Sequence, residues 1–364
     1  MGKEETNVGL IGTGEFSQFL LEAYSGMEGI KIKGLCGNSN KERLDRLSKK
    51  YSIPIRSLDY KEFLKEKDLD LVVIASPPFL HARMAIVALE NGKSVLCEKP
   101  LAISMDEARK IREVLASSDG RLKVDFVLRE NPLVKKLKKI MGSGIFGNLQ
   151  EIEFYNLASD SQLNDSHWFW DKSKSGGIWI EHGVHFFDLF SYLTGKEPED
   201  FSSVAVRNGE REDQVSCSCF YGQALTNFSH SFTKTSELEK TQSILSFDRG
   251  EIIIKGWIPI ELKMRGAVTR KENELLEELF SDLGEVDSRE FEKEIMGRGE
   301  KHKVDKRVDI RARLESKEAT YREAIKEVMK DLNEEEMKVG FEEAYRALEA
   351  AIKAEKNKSV ERKI

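Results

Sequence analysis

The chain has 364 residues, 40% hydrophobic and 34% charged, with a formal net charge of −6. The length exceeds one typical domain, so two domains sharing a cleft are expected, and the mild, mixed-sign charge argues against nucleic acid or an anionic membrane as partner. Apolar runs such as Leu71 to Ala75 fall far short of the ~20 residues a membrane helix needs, Met1 to Asn7 is polar and acidic, and the four cysteines (Cys36, Cys97, Cys217, Cys219) make no obvious disulfide framework, so a reducing cytoplasm is expected.

Through about residue 126 short apolar runs alternate with amphipathic stretches, the pattern of a parallel sheet with crossover helices. It predicts strands at Thr6 to Ile11, Ile30 to Cys36, Leu69 to Ala75, Ser94 to Cys97 and Leu122 to Phe126. Helices are predicted at Glu15 to Ser25, Lys41 to Tyr51, Tyr60 to Glu66, His81 to Asn91 and Ser104 to Ser117, the last opened by a Ser104/Glu107 capping box. Residues 127–364 read as an α+β second domain with an open-faced, mainly antiparallel sheet. A helix at Pro132 to Met141 is followed by strands at Gln150 to Ala158, Ser203 to Arg207, Gln214 to Tyr221, Thr226 to Phe232, Gln242 to Asp248 and Gly250 to Ile254. Ile178 to Leu193 reads as one buried helix stopped at Gly195, Arg265 to about Lys317 as an exposed, charged helical excursion, and Tyr321 to Met329 and Gly340 to Ala354 as two closing helices.

Three segments carry chemistry. The first strand runs into Gly12-Thr13-Gly14-Glu15-Phe16-Ser17, a G-x-G-x-x-S turn opening a helix, in which Gly12 allows the tight turn and Gly14 lets a pyrophosphate approach the helix amides. An acid at the end of the second strand would bind the adenosine ribose hydroxyls, but Cys36-Gly37-Asn38-Ser39-Asn40-Lys41-Glu42-Arg43 has none before Glu42. With Asn38, Ser39 and Arg43 as ligands, this loop favours NADP over NAD.

The second segment, Glu98-Lys99-Pro100, lies at the carboxyl edge of a buried strand, where an ammonium can stabilise a developing alkoxide and Lys99-Pro100 can be cis. The third, Gly176 to Asp188, spaces Glu181, His185 and Asp188 along one helical face, with His185 suited to proton transfer and a carboxylate expected to favour its charged form. His182 points elsewhere on that helix; Trp168, Trp170 and Asp171 are candidate sugar contacts, and the His and carboxylate spacing is too loose for a metal site.

In this order, the glycine loop, Ser76-Pro77-Pro78-Phe79-Leu80-His81, Ala88-Leu89 to Pro100, Arg129-Glu130-Asn131-Pro132 and Gly176-Gly177 to Asp188 resemble the glucose-fructose oxidoreductase, inositol dehydrogenase and MocA (Gfo/Idh/MocA) family. The resemblance implies a Rossmann domain followed by an open-faced sheet domain, a homodimer or homotetramer, and reversible oxidation of a secondary hydroxyl on a sugar or polyol. It places the cofactor against Gly12, Thr13, Gly14, Glu15, Phe16, Asn38, Ser39, Arg43, Ser76, Pro77, His81, Glu98, Lys99 and Arg129, and the substrate against Trp168, Trp170, Asp171, His182 and Asp188. Lys99 corresponds to the family's lysine, and Glu181 and His185 to its Asp-x-x-x-His pair, with Glu in place of Asp. The charged stretch from Glu272 to Arg313 has no obvious family counterpart. Two other readings stay open: an NAD-dependent glycosidase working by transient oxidation, and a non-catalytic cofactor sensor.

Overall fold

The computed structural model describes residues 5–37, 40–297, 300–332 and 340–363. It divides into two compact units. The first holds Met1–Val127, His167–Asp188 and Arg322–Ile352; the second holds Leu128–Ser166, Leu189–Tyr321 and Lys353–Ile364.

In the first unit six strands, β1 (Thr6–Ile11), β2 (Ile30–Cys36), β3 (Ile55–Ser57), β4 (Leu71–Ile74), β5 (Ser94–Cys97) and β6 (Leu122–Val124), form a parallel sheet in the order β3-β2-β1-β4-β5-β6. This is the doubly wound Rossmann order, in which strand order reverses between β1 and β4. Five helices follow the strands: α1 (Glu15–Tyr24), α2 (Lys41–Lys50), α3 (Tyr60–Phe63), α4 (His81–Glu90) and α5 (Met105–Ala116). Every residue of β4 is buried, as a sheet covered on both faces requires.

The register pairs Ile11 with Cys36 and Ile74, Ile74 with Cys97, and Cys97 with Val124. The strands therefore end in one row, and the residues just beyond it (Gly12, Gly37, Ser76, Glu98, Lys99, Asp125, Phe126) line the carboxyl edge where open α/β sheets bind ligands. Ser104 accepts from the Glu107 amide at 3.3 Å, and the Glu107 carboxylate takes the Ile103 amide at 3.1 Å, a close variant of the expected box.

The second unit is built on ten strands: β7 (Leu149–Ser159), β8 (Pro198–Asn208), β9 (Arg211–Tyr221), β10 (Ala224–Lys234), β11 (Lys240–Phe247), β12 (Gly250–Lys255), β13 (Glu261–Val268), β14 (Gly284–Gly297), β15 (Glu300–Arg313) and β16 (Lys358–Lys363). Their order is β14-β15-β13-β12-β11-β7-β10-β9-β8-β16, antiparallel except for the β7·β10 and β8·β16 pairs. Alternate residues such as Phe154, Cys217, Phe228 and Leu245 form its core, with Phe190 against Phe154 and Phe228 at ring separations of 6.0 and 5.6 Å.

The expected helical excursion at 265–317 is corrected. Only α9 (Arg270–Phe280) is helical there; it follows α6 (Pro132–Ser143), α7 (Lys172–Ser175) and α8 (Val184–Thr194) in the chain. The rest is the β14–β15 hairpin, whose inward Val304, Val308, Ile310 and Ala312 alternate with charged outward residues. Period-two burial of one face outweighs the helix propensity of its Glu, Lys and Arg. The closing helices are longer than expected, α10 at Lys317–Leu332 and α11 at Phe341–Lys356. Within the first unit, a fully buried ion pair joins Lys123 of β6 to Asp331 of α10. The Arg112 guanidinium also stands 3.8 Å from the centre of the Tyr345 ring.

Candidate functional site

The glycine turn after β1 has the shape a dinucleotide needs. Gly12 adopts φ +133, and a Cβ there would lie 2.4 Å from the Ala75 carbonyl and 2.6 Å from Ser17 Oγ, so only glycine lets the turn close on β4. A Cβ on Gly14 would meet nothing within 4 Å, and no side chain caps α1, so its first amides, from Glu15 and Phe16 onward, face open space. An uncapped helix start beside an open glycine fits a pyrophosphate. Thr13 packs against Gly37, where a Cβ would come within 2.6 Å of its methyl group.

Asn38 and Ser39 lie outside the described residues. Asn40 caps α2 by accepting from the Arg43 amide at 2.8 Å, and the Arg43 side chain is exposed. Ser76 and Pro77 follow β4 and are half-buried.

Lys99 is the centre of the polar cluster at the sheet edge. The Lys99–Pro100 bond is cis, as expected. Its ammonium donates to the Glu181 backbone carbonyl at 2.8 Å and to Glu181 Oε1 at 3.0 Å, with both side chains largely shielded. The backbone supplies that second acceptor because Trp179–Gly183 is a π-helical turn preceding α8, not the start of one continuous α-helix. Such single π turns leave carbonyls available and recur at functional sites.

The expectation that a carboxylate favours charged His185 is reversed. His185 is 3% exposed, and its pKa is pushed well below the ordinary histidine value by burial, then by the Lys99 ammonium and by His182. Burial and Lys99 likewise push His182 down to about 3. Glu181 spends its charge on Lys99, so His185 answers to the cation instead of the carboxylate. Phe126 stands edge-on to His185 at 6.5 Å between centroids, and His182 stacks on Phe186 at 5.8 Å.

Glu98 and Asp125 leave the row side by side and share a hydrogen bond. Burial, then the Asp125 charge, raises the Glu98 pKa well above the usual carboxylate range. Asp125 was not among the expected site residues; the β5·β6 register was the signal that it neighbours Glu98.

The remaining expected ligands separate. Trp168 and Trp170 are half-buried around buried Phe169, Trp170 edge-on at 4.8 Å. Asp171 is committed as the cap of α7, accepting from the Ser173 amide at 2.9 Å and pairing with Lys174 at 2.9 Å; these contacts, the Ser173 hydroxyl first, lower its pKa to about 2. Asp188 is buried on α8. His81 is buried with both ring nitrogens against backbone carbonyls, which leaves its ring no direct hold on a cofactor. Arg129 belongs to the second unit, buried with its guanidinium 5.0 Å from the Tyr192 ring centre.

Residues 6–126 match the profile of an oxidoreductase family with an NAD-binding Rossmann fold, and residues 134–252 match the GFO/IDH/MocA C-terminal domain. The chain is 28% identical over 211 residues to levoglucosan dehydrogenase of Pseudarthrobacter phenanthrenivorans, covering 55% of this chain and 53% of that one. It is 29% identical over 161 residues to the NAD-dependent scyllo-inositol 2-dehydrogenase of Bacillus subtilis, covering 44% and 46%. The chain thus spans about half the length of these relatives. A levoglucosan dehydrogenase structure in complex with NADH and levoglucosan superposes with a TM-score of 0.75 over 97% of this chain and 98% of that one at 19% identity. An oxidoreductase domain protein from Kribbella flavida gives a TM-score of 0.76 at 20% identity, covering 97% of each chain.

Proposed function

Because the chain belongs to the GFO/IDH/MocA oxidoreductase family, we propose that it transfers a hydride between a nicotinamide cofactor and a secondary hydroxyl or ketone of a sugar, polyol or inositol. The observation that carries this reading is the cluster of Lys99, Glu181 and His185 at the carboxyl edge of a Rossmann sheet whose glycine turn stands open.

The bound cofactor supplies the hydride donor or acceptor, held by the Gly12 to Phe16 turn and the edge residues Ser76, Pro77 and Glu98. Buried His185, its pKa held low, is neutral at pH 7 and takes the hydroxyl proton on a ring nitrogen. The Lys99 ammonium donates to the developing alkoxide, since a preorganised donor in a shielded site stabilises charge that water would otherwise solvate. Glu181 holds Lys99 in place through two contacts. Half-buried Trp168 and Trp170 offer faces to sugar C–H surfaces, with His182 and Asp188 lining the same helix.

NADP is the favoured cofactor, supported by the lack of an acid between Cys36 and Lys41. An open-faced sheet with exposed Val204, Phe220 and Leu225 supports a homodimer or homotetramer, and four buried free thiols support a reducing cytoplasm. The test is a screen of sugars and cyclitols with NAD and NADP. Net formation of reduced cofactor supports the dehydrogenase; released glycone without net reduction makes it a glycosidase, and binding without turnover a sensor.

A further inference from the structure

His81, the first residue of α4, is 1% exposed. Its Nδ1 is 2.7 Å from the Pro100 carbonyl oxygen and its Nε2 is 2.6 Å from that of Ser76. A carbonyl oxygen only accepts, and a neutral imidazole carries one N–H, so a neutral ring satisfies one carbonyl and turns a lone pair on the other at close hydrogen-bonding distance. Only the doubly protonated ring donates to both.

We infer that His81 is held as an imidazolium and is a positioning residue, tying the turn after β4 to the segment after β5 that carries Lys99. Burial is the largest influence on its pKa and lowers it; the two carbonyls raise it. Of the charged groups that face it, the Lys99 ammonium lowers it and the Glu181 carboxylate raises it. What decides is that both acceptors are backbone atoms just past packed strand ends and cannot rotate away, and charge-assisted bonds to them are stronger than neutral ones. Pro100 directly follows Lys99, so the clamp fixes the chain from which the ammonium reaches Glu181.

The charge state stands on geometry alone, whereas the positioning role rests on the dehydrogenase reading; the test separates them. In the full chain labelled with nitrogen-15 histidine, the His81 ring, assigned through bonds from its own Cβ, should show both nitrogens in the imidazolium range at neutral pH. A spectrum with one protonated and one bare nitrogen overturns the inference. His81→Phe keeps a planar ring but no donor, and should lower kcat roughly 100-fold by misplacing Lys99 while cofactor Kd holds. His81→Gln, whose amide offers two protons, should restore much of that turnover. Normal turnover in His81→Phe overturns the positioning role, and parallel loss of cofactor binding and turnover makes His81 a cofactor ligand. Absence of turnover in the unsubstituted chain sinks the dehydrogenase reading, and the ring spectrum still decides the clamp.

Discussion

The Lys99 ammonium makes two contacts with one residue, the carbonyl and the carboxylate of Glu181, at 2.8 and 3.0 Å. The pair sets the electrostatics around it: Glu181 balances the lysine, and the lysine depresses the imidazoles of His182 and His185.

Opposite shifts of the pH profile should follow from breaking this pair at either end. A base is lost as pH falls through its pKa, so the lowered His185 value places the acid limb of kcat/KM below the ordinary 6.5. Lys99→Met removes a charge that lowers this pKa and should move the limb toward neutrality. Glu181→Gln leaves the ammonium unbalanced and should move it further to acid. Steady-state rates across the acid range read both, and limbs moving in the same direction would remove Lys99 as the controlling charge.

His185→Ala should lower turnover by ~100 to 10,000-fold, the usual cost of losing a general base, and erase that limb. A retained limb would assign it to another group, with His182 the first candidate.

The two glycines of the cofactor turn should behave differently. Gly14→Ala meets no neighbour, so the fold should hold while cofactor affinity drops at least about tenfold, or ~1.4 kcal/mol. Gly12→Ala would put a methyl 2.4 Å from the Ala75 carbonyl at φ +133 and should lower thermal stability as well. Reduced-cofactor fluorescence titration alongside thermal melts distinguishes the two.

The buried pair Lys123–Asp331 predicts asymmetric costs. Asp331→Ala leaves a buried ammonium without its partner and should cost about 3 to 5 kcal/mol, whereas replacing both residues with apolar side chains of similar volume should recover most of it. Denaturant unfolding of single and double variants checks this, and additive losses would contradict it.

The Rossmann half was legible because its strands are short apolar runs separated by amphipathic helices, as at fully buried Leu71–Ile74. The β14–β15 hairpin was not, because only one of its faces is buried and Lys306 interrupts the inward series between Val304 and Val308. At the site, spacing brought Glu181 and His185 into one region but misjudged their relation. It assumed 3.6 residues per turn, and the π turn at Trp179–Gly183 breaks that phase, joining Glu181 to Lys99 from a distant strand. Asp125 and the double acceptors of His81 depend on strand register and loop packing, which no local pattern encodes.

The most direct test of Lys99 as the group that stabilises the alkoxide compares cofactor binding with turnover in Lys99→Met, on whichever polyol the screen identifies. Removing a preorganised donor to a developing oxyanion costs ~3 to 4 kcal/mol, so turnover should fall by about two orders of magnitude or more. Cofactor Kd should change little, because the Gly12 to Phe16 turn is untouched. Normal turnover would contradict the account, and equal losses of binding and turnover would make Lys99 a cofactor ligand instead of the group that meets the alkoxide.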